Sequence, residues 1–146
     1  MDFLSVEISN KIMTHIHVTC AVIVCNGHVL ATQRSSTMKL PLKWEFPGGK
    51  IEPEEAPTAC LQREIREELN LEIRVGDELP AVTHQYPDFL ITLYPFVCST
   101  DSNEFQLQEH VQALWLKPET LHFLDWAEAD IPVLAAYQRW LENGRQ

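Results

Sequence analysis

Residues 48–71, GGKIEPEEAPTACLQREIREELNL, carry the pattern that decides how this chain is read. Pro57 suits the first turn of a helix, where its missing N–H would have had no partner, and nothing from Ala56 to Leu69 otherwise breaks a helix. Asn70 tolerates the left-handed conformation that closes one. At about 100° per residue, Thr58, Leu61, Ile65 and Leu69 form one stripe, with Cys60, Glu64, Glu67 and Glu68 on the stripe beside it. The carboxylates therefore border the core-facing side. Acids at i, i+3 and i+4 repel one another by a few tenths of a kcal/mol per pair, roughly, on an exposed helix. Arg63 and Arg66 offer one compensation, as a solvated salt-bridge ladder.

Before this helix, the β-branched run Ile16–Val24, the turn dipeptide Asn26-Gly27 and the return His28–Gln33 predict a β-hairpin. Ser35–Lys43 reads as a polar, mobile loop, Trp44-Glu45-Phe46 as a short extended piece, and Pro47-Gly48-Gly49 as a tight backbone. After the helix, extended segments are expected at Glu72–Val75, Leu79–Gln85, Phe89–Val97 and Gln112–Leu116, with a turn at Tyr86-Pro87-Asp88. Pro118–Leu121 reads as a helical turn. Asp130 and Pro132 open a second helix that ends near Glu142, with Trp140 and Leu141 toward the core. Residues 1–14 look like an N-terminal extension without a readable role, and 15–146 like a single domain.

With 146 residues, 45% of them hydrophobic, the chain can bury a core without disulfides or a structural metal. A formal charge of −10 repels DNA, RNA and anionic membranes, so neither a polymeric nucleic acid nor a membrane is an expected partner. A small anionic substrate stays open, because a bound cation inverts the local field. Cys20, Cys25, Cys60 and Cys98 have no Cys-x-x-Cys spacing and read as reduced thiols in a cytoplasmic protein. His15, His17, His28, His84 and His122 show no metal-ligand spacing.

The stretch from Gly49 to Leu71 resembles the Nudix box: Gly49, then Glu55, Arg63-Glu64, the aliphatic Ile65, Glu67-Glu68 and Leu71. The box's late Gly is replaced by Asn70, a residue that also adopts the left-handed cap. Eight or nine chemically demanding positions in one short segment, by rough count, make the pattern far more specific than a lone glycine motif. The resemblance implies an α/β fold, an α/β/α sandwich around a central mixed sheet. It also implies a metal-dependent hydrolase of a small nucleotide, with Mg²⁺ or Mn²⁺ as cofactor.

On that resemblance, the metal ligands are Glu64, Glu67, Glu68 and the backbone carbonyl of Gly48, a hard oxygen shell of the kind Mg²⁺ prefers. Glu67 or Glu68 orients the attacking water. Arg63, four residues before Glu67, holds its carboxylate; an ordinary surface ion pair is the alternative. Gly49 and Glu55 support the loop that enters the helix. Glu109 resembles a distal acid that binds metal or acts as base, against a solvated loop acid. Arg34 and Lys50 are candidates for phosphate contact, or plain surface charges.

The run Trp44–Lys50 and the segment His84–Leu93 resemble the MutT-like nucleoside triphosphate pyrophosphohydrolases. Ala129-Asp130-Ile131-Pro132 is similar to the CTP pyrophosphohydrolase members. Asp130 would then face the base, where a carboxylate accepts from an exocyclic amine; a simple helix N-cap is the other reading. The expected substrate is (d)CTP or a modified dCTP, with 8-oxo-dGTP and other nucleoside diphosphate derivatives as alternatives. A non-catalytic nucleotide-binding module is a further alternative, although no acid of the box is missing. Oligomeric state leaves no trace in the pattern.

Overall fold

The computed structural model describes the backbone of residues 4–8 and 11–144, with side chains from residue 13. Its strands are β1 (Leu4–Ile8), β2 (Lys11–Cys25), β3 (His28–Gln33), β4 (Trp44–Glu45), β5 (Gly48–Lys50), β6 (Arg74–Glu78), β7 (Val82–Gln85), β8 (Phe89–Ser99) and β9 (Gln112–Leu116). Two α-helices, α1 (Pro57–Leu69) and α2 (Ile131–Glu142), complete the framework, with short 3-10 turns at Pro118–Phe123 and Glu128–Asp130.

Strand β2 is the hub. It pairs antiparallel with β1, β3 and β5, and parallel with β8 along Thr14–Val24. One parallel pair among antiparallel neighbours makes the sheet mixed among the described residues. Because successive strand side chains point to opposite faces, β2 serves two cores. Cys20 and Val22 join a cluster with Val133, Leu134 and Tyr137 of α2, whereas Ala21 and Ile23 join one with Leu61, Ile65 and Leu69 of α1. The layers are therefore helix, sheet, helix, as expected.

Helix α1 has no side-chain N-cap at Ala56; Pro57 removes one orphan N–H instead. Asn70 closes it at φ 55° and ψ 38°, its N–H donating to the Arg66 carbonyl. Leu61, Ile65 and Leu69 are fully buried, each worth about 1.5–3 kcal/mol of apolar transfer. Thr58, expected on that stripe, is exposed, as are its neighbours Pro57 and Ala59 in the first helical turn; burial begins at Cys60.

The hairpin turn at Asn26-Gly27 has positive φ at both residues, 51° and 77°, as a twisted two-residue loop requires. Pro47-Gly48-Gly49 differs from expectation: Gly48 and Gly49 have no positive φ and form strand β5 against β2. Their missing side chains serve close approach and not turning. A Cβ on Gly48 would stand 2.7 Å from the Cα of Cys20. Trp140 is half-buried against the α2-side core, with its indole N–H donating to Asp77 at 2.9 Å. Of the expected extension, residues 1–3, 9 and 10 lie outside the described residues; Leu4–Ile8 is strand, and β2 begins at Lys11.

Candidate active site

A cavity of about 530 Å³ lies where β2, β5 and β8 meet the N-terminal end of α2, the loop after β3 and one edge of α1. Its lining brings together Arg34, Gly48, Gly49, Lys50, Glu64, Glu68, Glu109 and Asp130 from the sequence-derived candidates. Glu55, Arg63 and Glu67 stand outside the lining. Part of the wall is apolar, from Ile16, Val18, Phe46, Phe89, Ile91 and Leu93. That combination suits a ligand with one flat, poorly hydrated end and one highly charged end.

Arg63 organises the carboxylate helix. Its Nε and Nη2 donate to the two oxygens of Glu55 at 2.7 and 3.0 Å, a bidentate pair. Its Nη1 donates to Glu64 and to Glu67, each at 3.1 Å. Glu55 also accepts the N–H of Glu52, which fixes the loop entering α1. The hydrogen bonds from Arg63 come first among the causes that lower the Glu55 pKa to about 2. Arg66, the other half of the expected ladder, turns away and pairs with Glu72 at 2.6 and 3.0 Å.

Glu64 sits half-buried over β5, in the volume that a Cβ on Gly49 would fill. Desolvation pushes its carboxyl pKa up, and the charges of Glu67 and Glu68 add to that, while Arg63 opposes it. A region that disfavours its own negative charge is one that a cation relieves. Among the described residues no three His, Cys, Asp or Glu side chains are already gathered around one point. The donors nevertheless fit a hard divalent cation in kind: carboxylate oxygens of one helix edge, beside a glycine strand whose backbone is open to close approach.

Glu68 faces a second set of partners. The backbone N–H of Glu109 donates to Glu68 Oε2 at 2.8 Å, and His110 Nδ1 lies 3.8 Å from the same oxygen. The other imidazole nitrogen, Nε2, is 2.7 Å from Glu45 Oε2, and Glu45 Oε1 accepts from Arg34 Nη1 at 2.9 Å. Arg34 Nε also donates to the Lys39 carbonyl, so its guanidinium is oriented on two sides. Burial works against protonation of His110, but the Glu45 hydrogen bond and the charges of Glu45 and Glu68 outweigh it and raise its pKa.

Asp130 is 5% exposed, and its Oδ2 accepts the backbone N–H of Phe46 at 2.9 Å. The N-cap reading is corrected: the side chain makes no capping bond to α2, because that oxygen is committed across the cavity wall. Burial foremost, then the Glu45 charge, hold its carboxyl pKa well above the usual carboxylate range. Tyr86 accepts the Ala129 N–H at 2.9 Å, and Phe46 stacks on Trp126, so the backbone bearing Asp130 is tied down on both sides.

Sequence reasoning passed over Glu45 and His110 as site residues. Glu45 lies in the quoted run Trp44–Lys50, and His110 adjoins Glu109, so adjacency to motif residues was the available signal. The structure supplies the rest through contacts distant in sequence.

A model of the NUDIX domain matches residues 13–137. A CTP pyrophosphohydrolase of Escherichia coli (strain K12) is 34% identical over 125 residues, covering 86% of this chain and 93% of that protein. An 8-oxo-dGTP diphosphatase of Proteus vulgaris is 37% identical over 91 residues, 61% of this chain and 80% of that protein. The solution structure of the E. coli ORF135 protein superposes with a TM-score of 0.77 at 32% identity, covering 90% and 94% of the two chains. The match takes in the glycine strand, the arginine-braced acids and the cavity wall alike, and the chain belongs to the Nudix family as a nucleotide hydrolase.

Proposed function

We propose that this protein hydrolyses a nucleoside triphosphate to nucleoside monophosphate and pyrophosphate, with (d)CTP or a modified dCTP as substrate and Mg²⁺ or Mn²⁺ as cofactor. One observation carries the reading: Asp130 is buried in the wall of the same cavity whose rim bears Glu64 and Glu68. Base recognition and phosphate chemistry then share a single volume. The E. coli relative named a CTP pyrophosphohydrolase supports the choice of base.

Glu64, Glu67, Glu68 and the Gly48 carbonyl would hold the cation. When bound, it neutralises the phosphate chain and makes water a better nucleophile. Arg63 keeps the Glu64 and Glu67 carboxylates in fixed positions through one nitrogen. Glu67, the more exposed of the pair at 61% of its side chain, or Glu68 would orient the attacking water. Glu68 is steadied by the Glu109 amide, with the Glu109 carboxylate free to approach the phosphates' cation from the loop side. Arg34 and Lys50, in the same lining, meet phosphate oxygens. Phe46, Phe89 and Ile91 exclude water from the base.

Asp130 keeps one oxygen for the base after Phe46 has taken the other. In the carboxylate form, that oxygen would accept from cytosine N4, a donor which uracil and thymine lack. Guanine N1 and N2 also offer donors, and the Proteus relative named an 8-oxo-dGTP diphosphatase supports 8-oxo-dGTP as the second reading. Four buried free thiols fit a reducing, cytoplasmic setting. No helix among the described residues is long and apolar enough to cross a membrane.

A panel of canonical, methylated and oxidised nucleoside triphosphates, scored by pyrophosphate release, tests the proposal. Preference for cytosine nucleotides is expected. Cleavage of ADP-ribose with every triphosphate left intact would overturn it.

A further inference from the structure

His110 is the one histidine among the described residues in the cavity lining, and its side chain is 5% exposed. It stands where three pieces of chain converge. Nε2 reaches Glu45 Oε2 on β4 at 2.7 Å, and Nδ1 faces Glu68 Oε2 on α1 at 3.8 Å. Nδ1 is buried without a hydrogen-bond partner. The residues on either side of it are pinned through their backbones: the Glu109 N–H to Glu68 at 2.8 Å, and the Val111 N–H to the Gln33 carbonyl at 3.0 Å.

We infer that His110 is a positioning residue that locks Glu68 of the carboxylate helix to Glu45, and through Glu45 to the guanidinium of Arg34. The imidazole is suited to this because it is rigid, short and presents a nitrogen in each direction. A partly buried carboxylate such as that of Glu45 gains from a donor on each oxygen, and Arg34 covers just one of the two. With the imidazole gone, Glu45 Oε2 loses its partner and the loop carrying Glu109 loses its anchor. Glu68 then loses the amide that holds it. Arg34 keeps its bonds to Glu45 Oε1 and to the Lys39 carbonyl, so nucleotide binding suffers less than the acid cluster.

This assignment rests on the proposed hydrolase function for its kinetic consequence, but not for its geometric one. The test compares wild type with His110→Phe, which keeps the bulk, and His110→Gln, which keeps a donor toward Glu45. Hydrogen exchange at the Glu109 amide reads the geometry directly. It is expected to quicken at least about tenfold in His110→Phe, with the melting temperature little changed. Titration with Mn²⁺ alone is expected to show affinity lowered about 10- to 100-fold. In kinetics, kcat falls by a similar factor while KM for CTP moves less than about threefold, and His110→Gln recovers part of each loss. An unchanged Glu109 exchange rate in His110→Phe, or a His110→Gln protein no better than His110→Phe, overturns the assignment. If wild type takes up no Mn²⁺ and releases no pyrophosphate while its Glu109 amide still depends on His110, the hydrolase reading fails and the positioning role stands.

Discussion

Gly49 and Glu64 compete for one volume: a β-carbon on the glycine would overlap the carboxyl group of the glutamate. The atoms met there belong to the end of a flexible side chain, which can swing aside. Gly49→Ala should therefore keep the fold, at a cost of about 1 kcal/mol or less, while lowering kcat about 100-fold as Glu64 leaves the cavity. Gly48→Ala is the opposite case. Its β-carbon would meet the backbone of Thr19 and Cys20, which cannot yield without parting β5 from β2. A loss of about 3 kcal/mol in urea unfolding is expected. Wild-type turnover in Gly49→Ala would show that the Glu64 position is irrelevant.

Arg63→Lys tests the brace. One ammonium cannot reproduce the fork on Glu55 and also reach Glu64 and Glu67. A fall in kcat of about 10- to 100-fold is expected, with nucleotide selectivity unchanged. An acid limb should change as well. The folded Glu55 pKa is depressed to about 2 from 4.5, so its stabilisation is present above pH 4.5 and fades as pH falls toward 2. Melting temperatures of wild type and Glu55→Gln should converge across that interval.

Asp130→Asn separates stability from selectivity. The raised Asp130 pKa means that the native state keeps a proton the unfolded chain has already released. Wild-type stability from this group therefore declines as pH rises above about 3.9, up to the raised value. The asparagine retains an acceptor for the Phe46 N–H and carries no charge. Its melting temperature should equal or exceed that of wild type at pH 7, with the gap closing toward pH 4. Preference for CTP over UTP should shrink about tenfold or more. Unaltered selectivity would take Asp130 away from the base.

Removal of divalent ions should abolish pyrophosphate release, and their addition should stabilise the fold. Binding at about 100 times Kd contributes about 2.7 kcal/mol, readable as a rise in melting temperature. Glu64→Gln should lose most of that rise. Turnover that persists in chelator, with melting unaffected by Mg²⁺ or Mn²⁺, would refute the cation's role.

Local physics explains what could be read in advance. Helix α1 was legible because Pro57, the apolar spacing and Asn70 act within a few residues of one another. The Arg63–Glu67 contact followed from helix geometry alone. Strand β9 was placed at Gln112–Leu116, as found, from its residue types and its turn-rich flanks. Contacts between distant segments were opaque. Nothing near Asp130 announces that its acceptor role is played to Phe46, and a local reading defaults to the helix start it adjoins. His110 stands between exposed Glu109 and Val111, so its surroundings read as a surface loop, while its burial comes from Glu45 and Glu68. Gly48 and Gly49 read locally only as a tight backbone, because glycine permits many conformations. Their actual need, room for a strand and for a carboxylate, is set by β2 and α1.

The parallel union of β2 and β8 joins Thr14 to Phe89 and Val24 to Ser99, so half the chain must be threaded before the central ladder can close. The acid-bearing helix belongs to the excursion between those two strands and can coil early, whereas the hollow beside it exists once both strands have met. Assembly is thus governed by a distant rendezvous, which slows folding relative to chains built from neighbouring contacts. A fragment ending before β8 would keep every motif residue from Gly49 to Leu71 and still have nowhere to seat a base.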